Sequence, residues 1–125
     1  MRRVLVPIVA AVAMTVFASS PLAATEITVS PNVINIGSET DVVTVHTDLP
    51  FSFVTGATVT LNGVPIDWWK SDNRGNFVAK FEAIAVKGIV EPGTATLTLE
   101  GNTTDGESFS GADTVTVINI VPKKK

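Results

Sequence analysis

Beyond residue 24, apolar and polar residues alternate with a period of two along most of the chain. This alternation is typical of β-strands with one buried and one solvated face. Strands are predicted at residues 26–30, 33–36, 41–47, 57–61, 64–69, 76–81, 94–99 and 113–121, with a further short strand at 108–110. The pattern therefore predicts a chain made almost entirely of short strands.

Turn-forming residues separate these segments. Asn62-Gly63 predicts a tight hairpin between strands 57–61 and 64–69, because this dipeptide readily adopts positive φ angles. Residues 70–76 contain no apolar side chain and predict an exposed loop. Gly88 limits any helix within 84–90 to about one turn. Pro31 divides 26–36 into a split first strand, which predicts that the chain passes from one sheet edge to the other.

The fold class follows from the number and length of these segments. Seven or eight strands in a domain of about 100 residues are typical of a β-sandwich rather than a large barrel. Abundant Val and Thr favour strands, since β-branched side chains pack well on a pleated sheet. The chain has no cysteine, so hydrophobic burial and strand pairing must stabilise the fold. We therefore expect an all-β, immunoglobulin-like sandwich of about seven strands over residues 25–121.

The first 24 residues have the organisation of an export signal. Arg2 and Arg3 precede an uncharged apolar stretch at 4–18, and small or turn-forming residues follow at 19–24. The apolar stretch is shorter than the roughly 20 residues that a membrane-spanning helix needs. We expect a cleavable signal peptide and a mature start at Thr25, with Ala18 marking a competing cleavage site. The mature protein would then be periplasmic or extracellular, without a stable membrane anchor, and residues 122–125 would form a basic tail.

Charge narrows the classes of partner. The chain has nine Lys and Arg, two of them in the export signal, and twelve Asp and Glu, all beyond it. This acidic balance argues against nucleic acid, whose recognition normally requires a basic surface.

Three stretches together resemble a known family. They are Ser30-Pro31-Asn32, the segment LNGVPIDWWKSDNRGNFVAKF at 61–81, and DGESFSGADTVTVI at 105–118. In their layout they resemble the bacterial immunoglobulin-like domains grouped with IPT/TIG domains of exported and cell-surface proteins. The resemblance implies a sandwich that acts as a spacer, adhesive or scaffolding module without catalysis. Such domains typically occur in several copies, whereas one copy follows the signal here, and no ligand residue of the family maps onto this chain.

The residue types needed for catalysis are sparse. There is no cysteine, and the one histidine, His46, lies on the predicted polar face of a strand among threonines. A serine or cysteine nucleophile needs a nearby base and an orienting acid, and no such set is visible. We therefore expect no enzyme activity, no catalytic residue and no cofactor.

Trp68 and Trp69 are the candidate ligand-binding residues. Adjacent residues in a strand point to opposite faces, so we expect one ring to fill the core and the other to lie outward. An outward ring beside Asp67 and Lys70 would suit a sugar or protein partner.

A weaker candidate is the segment around Gly75, where Asp72, Asn73 and Asn76 offer oxygen atoms of the kind that calcium binds. The acids and terminal glutamate of a complete calcium loop are missing, so we expect a solvated hairpin turn and no metal site.

Three functional hypotheses follow. The first is a non-catalytic secreted protein with a structural, adhesive or protein-interaction role. The second is a carbohydrate-binding or calcium-stabilised ligand module. The third is a self-assembling extracellular subunit, with strand 26–30 as the candidate donor to another copy.

Overall fold

The computed structural model describes residues 25–39 and 42–121, which form two β-sheets packed face to face. The predicted signal peptide and the basic tail lie outside these residues. The strands are β1 (Ile27–Ser30), β2 (Val33–Asn35), β3 (Val42–Pro50), β4 (Val54–Leu61), β5 (Val64–Pro65), β6 (Trp68–Ser71), β7 (Asn76–Glu82), β8 (Gly93–Thr103) and β9 (Ser108–Ile118). A 3₁₀ turn at Phe51–Phe53 and the helix α1 (Ala83–Lys87) complete the described elements. No helix among the described residues is long and apolar enough to cross a membrane.

The strand order confirms the prediction of a split first strand. One sheet has four strands in the order β1-β3-β7-β6, and the other has five in the order β2-β9-β8-β4-β5. β1 pairs antiparallel with β3, whereas β2 pairs parallel with β9 in the opposite sheet. The chain changes sheets between them, at a cis Ser30–Pro31 peptide bond. A single segment thus contributes an edge strand to both sheets.

The core lies between the sheets and consists of the apolar members of each alternating strand. The largest fully buried side chains include Phe77 and Phe81 from the four-stranded sheet, and Leu61, Leu97 and Leu99 from the five-stranded sheet. Burying each of these side chains contributes about 1.5–3 kcal/mol. Hydrophobic burial thus stabilises a fold that has no cysteine and therefore no disulfide. The all-β prediction is confirmed.

The outward side of the β8–β9 hairpin is a ladder of threonines. Thr94, Thr96 and Thr98 of β8 stand opposite Thr116, Thr114 and Ala112 of β9. The apolar residues between them, such as Leu97 and Val115, face the core.

The predicted hairpin and the short helix are both confirmed. Asn62 and Gly63 have φ angles of 49° and 86°, as a tight turn requires, and Leu61 pairs with Val64 across it. The helix α1 spans Ala83–Lys87 and stops at Gly88.

The predicted strand 64–69 is wrong as one element, because the chain changes sheets within it. Val64 and Pro65 pair with β4, and the Ile66 N–H still donates to Val59 O. The next N–H, that of Asp67, donates to Lys80 O in the opposite sheet. β5 is short because the chain leaves β4 directly after Ile66 and pairs with β7 instead.

The predicted loop 70–76 is shorter than expected. Lys70 and Ser71 belong to β6, where they pair with Val78 and Phe77. Polar side chains are compatible with a strand here because β6 is an edge strand that has one partner only. In contrast, the predicted strands 108–110 and 113–121 join into the single long strand β9, which ends earlier than expected, at Ile118.

Candidate functional site

Trp68 and Trp69 occupy opposite faces of β6, as their adjacency predicted, but neither ring lies in the centre of the core. Trp69 points to the inner side and is still 38% exposed. Its indole covers Gly56 on β4 of the opposite sheet, where a Cβ atom would overlap the ring. The expectation of a core-filling ring was wrong because β6 is an edge strand, whose inner side lies at the rim of the sandwich. Trp69 closes that rim.

Trp68 lies on the outer surface of the four-stranded sheet and is 46% exposed. Its cross-strand partner is Lys80 on β7. The Lys80 ammonium nitrogen lies 5.5 Å from the centroid of the Trp68 ring, within the range of a cation–π interaction. Lys80 Nζ also donates a hydrogen bond of 3.0 Å to Thr44 Oγ1 on β3. The exposed indole is therefore held in place by contacts that extend over three strands.

Trp68, Lys80 and Thr44 form one row of side chains across three strands, and a second row lies beside it. Lys70 stands opposite Val78, which stands opposite His46, which in turn stands opposite Thr28. Val78 is fully buried although it lies on the side of β7 away from the core, so neighbouring side chains cover it. We call this surface the outer face; it comprises Thr28, Thr44, His46, Trp68, Lys70, Val78 and Lys80.

The outer face carries two lysines, Lys70 and Lys80. The pKa of Lys80 is lowered, first by partial burial of its ammonium group and then by the positive charge of Lys70. Both effects disfavour the protonated form. Lys80 therefore carries its charge in a partly desolvated position near a second cation.

A shallow depression of about 340 Å³ continues the outer face toward the start of β7. It is lined by Glu26, Thr28, His46, Thr47, Asp48, Arg74 and Asn76. The depression lies beside an irregularity in β3, where the pairing with β7 shifts between His46 and Pro50. The Thr47 hydroxyl anchors this irregularity by donating to Phe77 O at 2.7 Å and accepting from Leu49 N at 3.2 Å. His46 is exposed there, as predicted.

The segment around Gly75 is organised by one carboxylate. Asp72 Oδ1 accepts hydrogen bonds from Arg74 N at 2.8 Å and from Asn76 N at 2.9 Å. The bond from Asn76 is the main reason why the pKa of Asp72 lies below its ordinary value. Residues 25–39 and 42–121 contain no group of three or more His, Cys, Asp or Glu side chains that would hold a metal ion. The geometry therefore gives Asp72 the role of closing a turn.

The structure brings only part of the predicted surroundings to the exposed tryptophan. Lys70 lies on the same face of β6 as Trp68, two residues away. Asp67 instead lines a separate depression of about 250 Å³ with Val64, Pro65, Ile66, Glu82 and Ala85. Lys80 and Thr44 were not associated with Trp68 by the sequence. Alternation places Lys80 on the polar side of its strand, but its contact with Trp68 depends on the register of two strands.

The fold and this surface together define a small all-β sandwich in which the outer face of the four-stranded sheet carries an exposed tryptophan. A scan against protein-family models found no match, and searches of curated proteins and of solved structures found no significant similarity.

Proposed function

We propose that this protein is an exported, non-catalytic adhesive module of immunoglobulin-like fold that binds a surface glycan through the outer face. The observation that carries the proposal is the exposed Trp68 ring, held by Lys80 at 5.5 Å among side chains able to form hydrogen bonds. The export step is part of the proposal and rests on the sequence of residues 1–24.

The order of the strands supports the immunoglobulin-like assignment. In immunoglobulin lettering, the order β1-β3-β7-β6 reads A-B-E-D. The five-stranded sheet then reads A′-G-F-C-C′, where β2 is the second half of a split strand A. The antibody-type disulfide has no counterpart in a chain without cysteine, so the support comes from topology.

A glycan suits the outer face for physical reasons. The face of an aromatic ring carries negative potential, and the C–H groups on one side of a sugar ring are weakly positive, so the two stack favourably. The Thr44 hydroxyl and the ammonium groups of Lys70 and Lys80 offer hydrogen bonds to sugar oxygens. Because Lys80 already restrains the indole, less conformational entropy is lost on binding.

Self-assembly through the first strand receives less support. The Val29 N–H of β1 donates to Asp113 Oδ2 at 2.9 Å, and the Thr25 N–H donates to Ser110 O at 2.9 Å. These bonds tie the proposed donor strand to β9 of its own sandwich. The chain would have to break them before β1 could pair with another copy.

The two tryptophans provide a matched test. Trp68→Ala should weaken glycan binding at least tenfold and leave the urea midpoint nearly unchanged, because its ring lies outside the core. Trp69→Ala should lower the midpoint, since its ring covers Gly56, and should leave the affinity of the folded protein unchanged. Binding would be measured on a glycan array and by titration calorimetry. Equal affinities for wild type and Trp68→Ala would overturn the proposal.

A further inference from the structure

We infer that the glycan is anionic: a saccharide with carboxylate groups, one of which lies between the ammonium groups of Lys70 and Lys80 while a sugar ring stacks on Trp68. This inference rests on the proposed function and specifies its ligand. It follows from the arrangement of these three side chains on two paired strands.

The register places both lysines around the tryptophan. Lys80 stands directly opposite Trp68, and Lys70 follows Trp68 by two residues on the same side of β6. Lys70 and Lys80 are therefore diagonal neighbours on antiparallel strands, a relation in which the backbone positions lie about 7–8 Å apart. Long side chains span such a gap easily, so a single carboxylate is able to contact both ammonium groups.

The free protein leaves these charges poorly compensated. Lys80 donates one of its three hydrogen bonds to Thr44 Oγ1, and its ammonium group lies near the Trp68 ring. The neighbouring charge that lowers its pKa is the positive charge of Lys70. A carboxylate between the two lysines would replace repulsion by two charge-assisted hydrogen bonds. A neutral sugar would leave the repulsion in place.

Glu82 determines on which side of Lys80 a ligand carboxylate would lie. It follows Lys80 by two residues on the same side of β7, is exposed, and stands opposite Val42. Its negative charge would repel a ligand carboxylate on that side of Lys80. The acidic group should therefore lie on the Lys70 side, toward the middle of the outer face.

The test compares an acidic saccharide with its neutral counterpart. Oligogalacturonate and its fully methyl-esterified form have the same sugar rings but differ in charge. Titration calorimetry with the folded protein at fixed salt should show binding of the acid at least about tenfold tighter than binding of the ester. Lys70→Met and Lys80→Met should each remove most of this preference, because methionine retains the length of the side chain without its charge.

Lys87→Met is the matched control. Lys87 is a cation in α1, outside both the outer face and the depression beside it, so its loss changes the net charge equally. The folded variant should keep the preference for the acid. If Lys87→Met weakens binding as much as Lys70→Met does, the attraction is only a general effect of charge and the inference is wrong.

The outcomes separate the inference from the proposed function. Equal binding of the acid and the ester, or binding of neutral glycans alone on the array, would overturn the anionic ligand and leave the glycan-binding module standing. Failure of every glycan, acidic or neutral, to bind the folded protein would overturn both.

Discussion

Trp68 and Trp69 differ by one position in β6 and contribute to different properties. Trp68 reaches solvent on the outer face, next to Lys80. Trp69 turns inward and lies over Gly56 of the opposite sheet, which leaves space for the indole because it has no Cβ atom. A glycine and a tryptophan therefore act as a complementary pair at the rim of the sandwich.

Gly56→Ala tests this pair. The added methyl group would overlap the indole of Trp69, and overpacking of this kind costs about 1–3 kcal/mol in the free energy of unfolding. Urea unfolding followed by tryptophan fluorescence would measure the loss. In a Trp69→Ala background the same change should cost less than about 0.5 kcal/mol, since the obstructing ring is gone. An equal cost in both backgrounds would show that the two residues are not coupled.

Among the elements, the β4–β5 hairpin is hydrogen-bonded to β8 through the side chain of its turn residue Asn62. Asn62 Nδ2 donates to Thr96 O at 3.1 Å, and Asn62 Oδ1 accepts from Thr98 N at 2.7 Å. The strand pairing of β4 with β8 ends at Leu61 and Leu99, and the Asn62 N–H adds a backbone bond of 2.9 Å to Thr98 O. The Asn62 side chain thus continues the ladder one step beyond the strand and satisfies polar groups at an otherwise open edge.

Substitutions at Asn62 should separate its two roles. Asn62→Gly keeps the positive φ and loses the side-chain bonds, so it should lower the free energy of unfolding by about 1–2 kcal/mol. Asn62→Ala should lower it by about 1–2 kcal/mol more, because alanine is strained at positive φ. Urea unfolding of both variants would check the order. A glycine variant as stable as the wild type would contradict a role for the side-chain bonds.

Alternation located most of the strands from sequence but not their assignment to sheets. The Asn62-Gly63 turn was predictable because its geometry depends on two residues alone. The change of sheet between β5 and β6 was not, since Ile66 and Asp67 find hydrogen-bond partners 7 and 13 positions away, Val59 and Lys80, in different sheets. A period of two gives the two sides of a strand and contains no information about which neighbour it will have.

The same distinction applies to the candidate site. The outward orientation of one tryptophan follows from adjacency, and a lysine two residues later shares its side. Thr44 and Lys80 are 36 positions apart in sequence, and their hydrogen bond depends on the pairing of β3 with β7. Residues that meet through long-range pairing are therefore missing from any site derived from sequence alone.

In the molecule as a whole, β1 connects the two sheets along one edge. It pairs with β3 in the four-stranded sheet, and its Val29 N–H donates to Asp113 Oδ2 on β9 in the five-stranded sheet. Thr25, just before β1, is buried and donates to Ser110 O on the same strand. This edge of the sandwich is thereby closed by hydrogen bonds.

Asp113→Ala should loosen this edge. Loss of a bond to a charged acceptor is expected to lower the free energy of unfolding by about 1–3 kcal/mol. Hydrogen exchange should speed up more at the Val29 amide than at amides between β8 and β9, because the effect is local to β1. Asp113→Asn keeps an acceptor oxygen and should cost less. Unchanged exchange at Val29 in the alanine variant would show that the bond does not hold β1.

The threonine ladder does not by itself fix the register in which β8 and β9 pair. If β9 slid by two residues along β8 in one direction, Thr96 and Thr98 would face Thr116 and Thr114. The inward side of each strand would still face the core, so the repeating pattern discriminates poorly between these registers. Two glycines break the repetition. Gly111 lies against the Thr25 backbone and Gly101 lies beneath Val59 and Phe109, so a slide would bring a full side chain into at least one space that fits none. The correct alignment of the longest hairpin is thus selected by the places where side chains are missing.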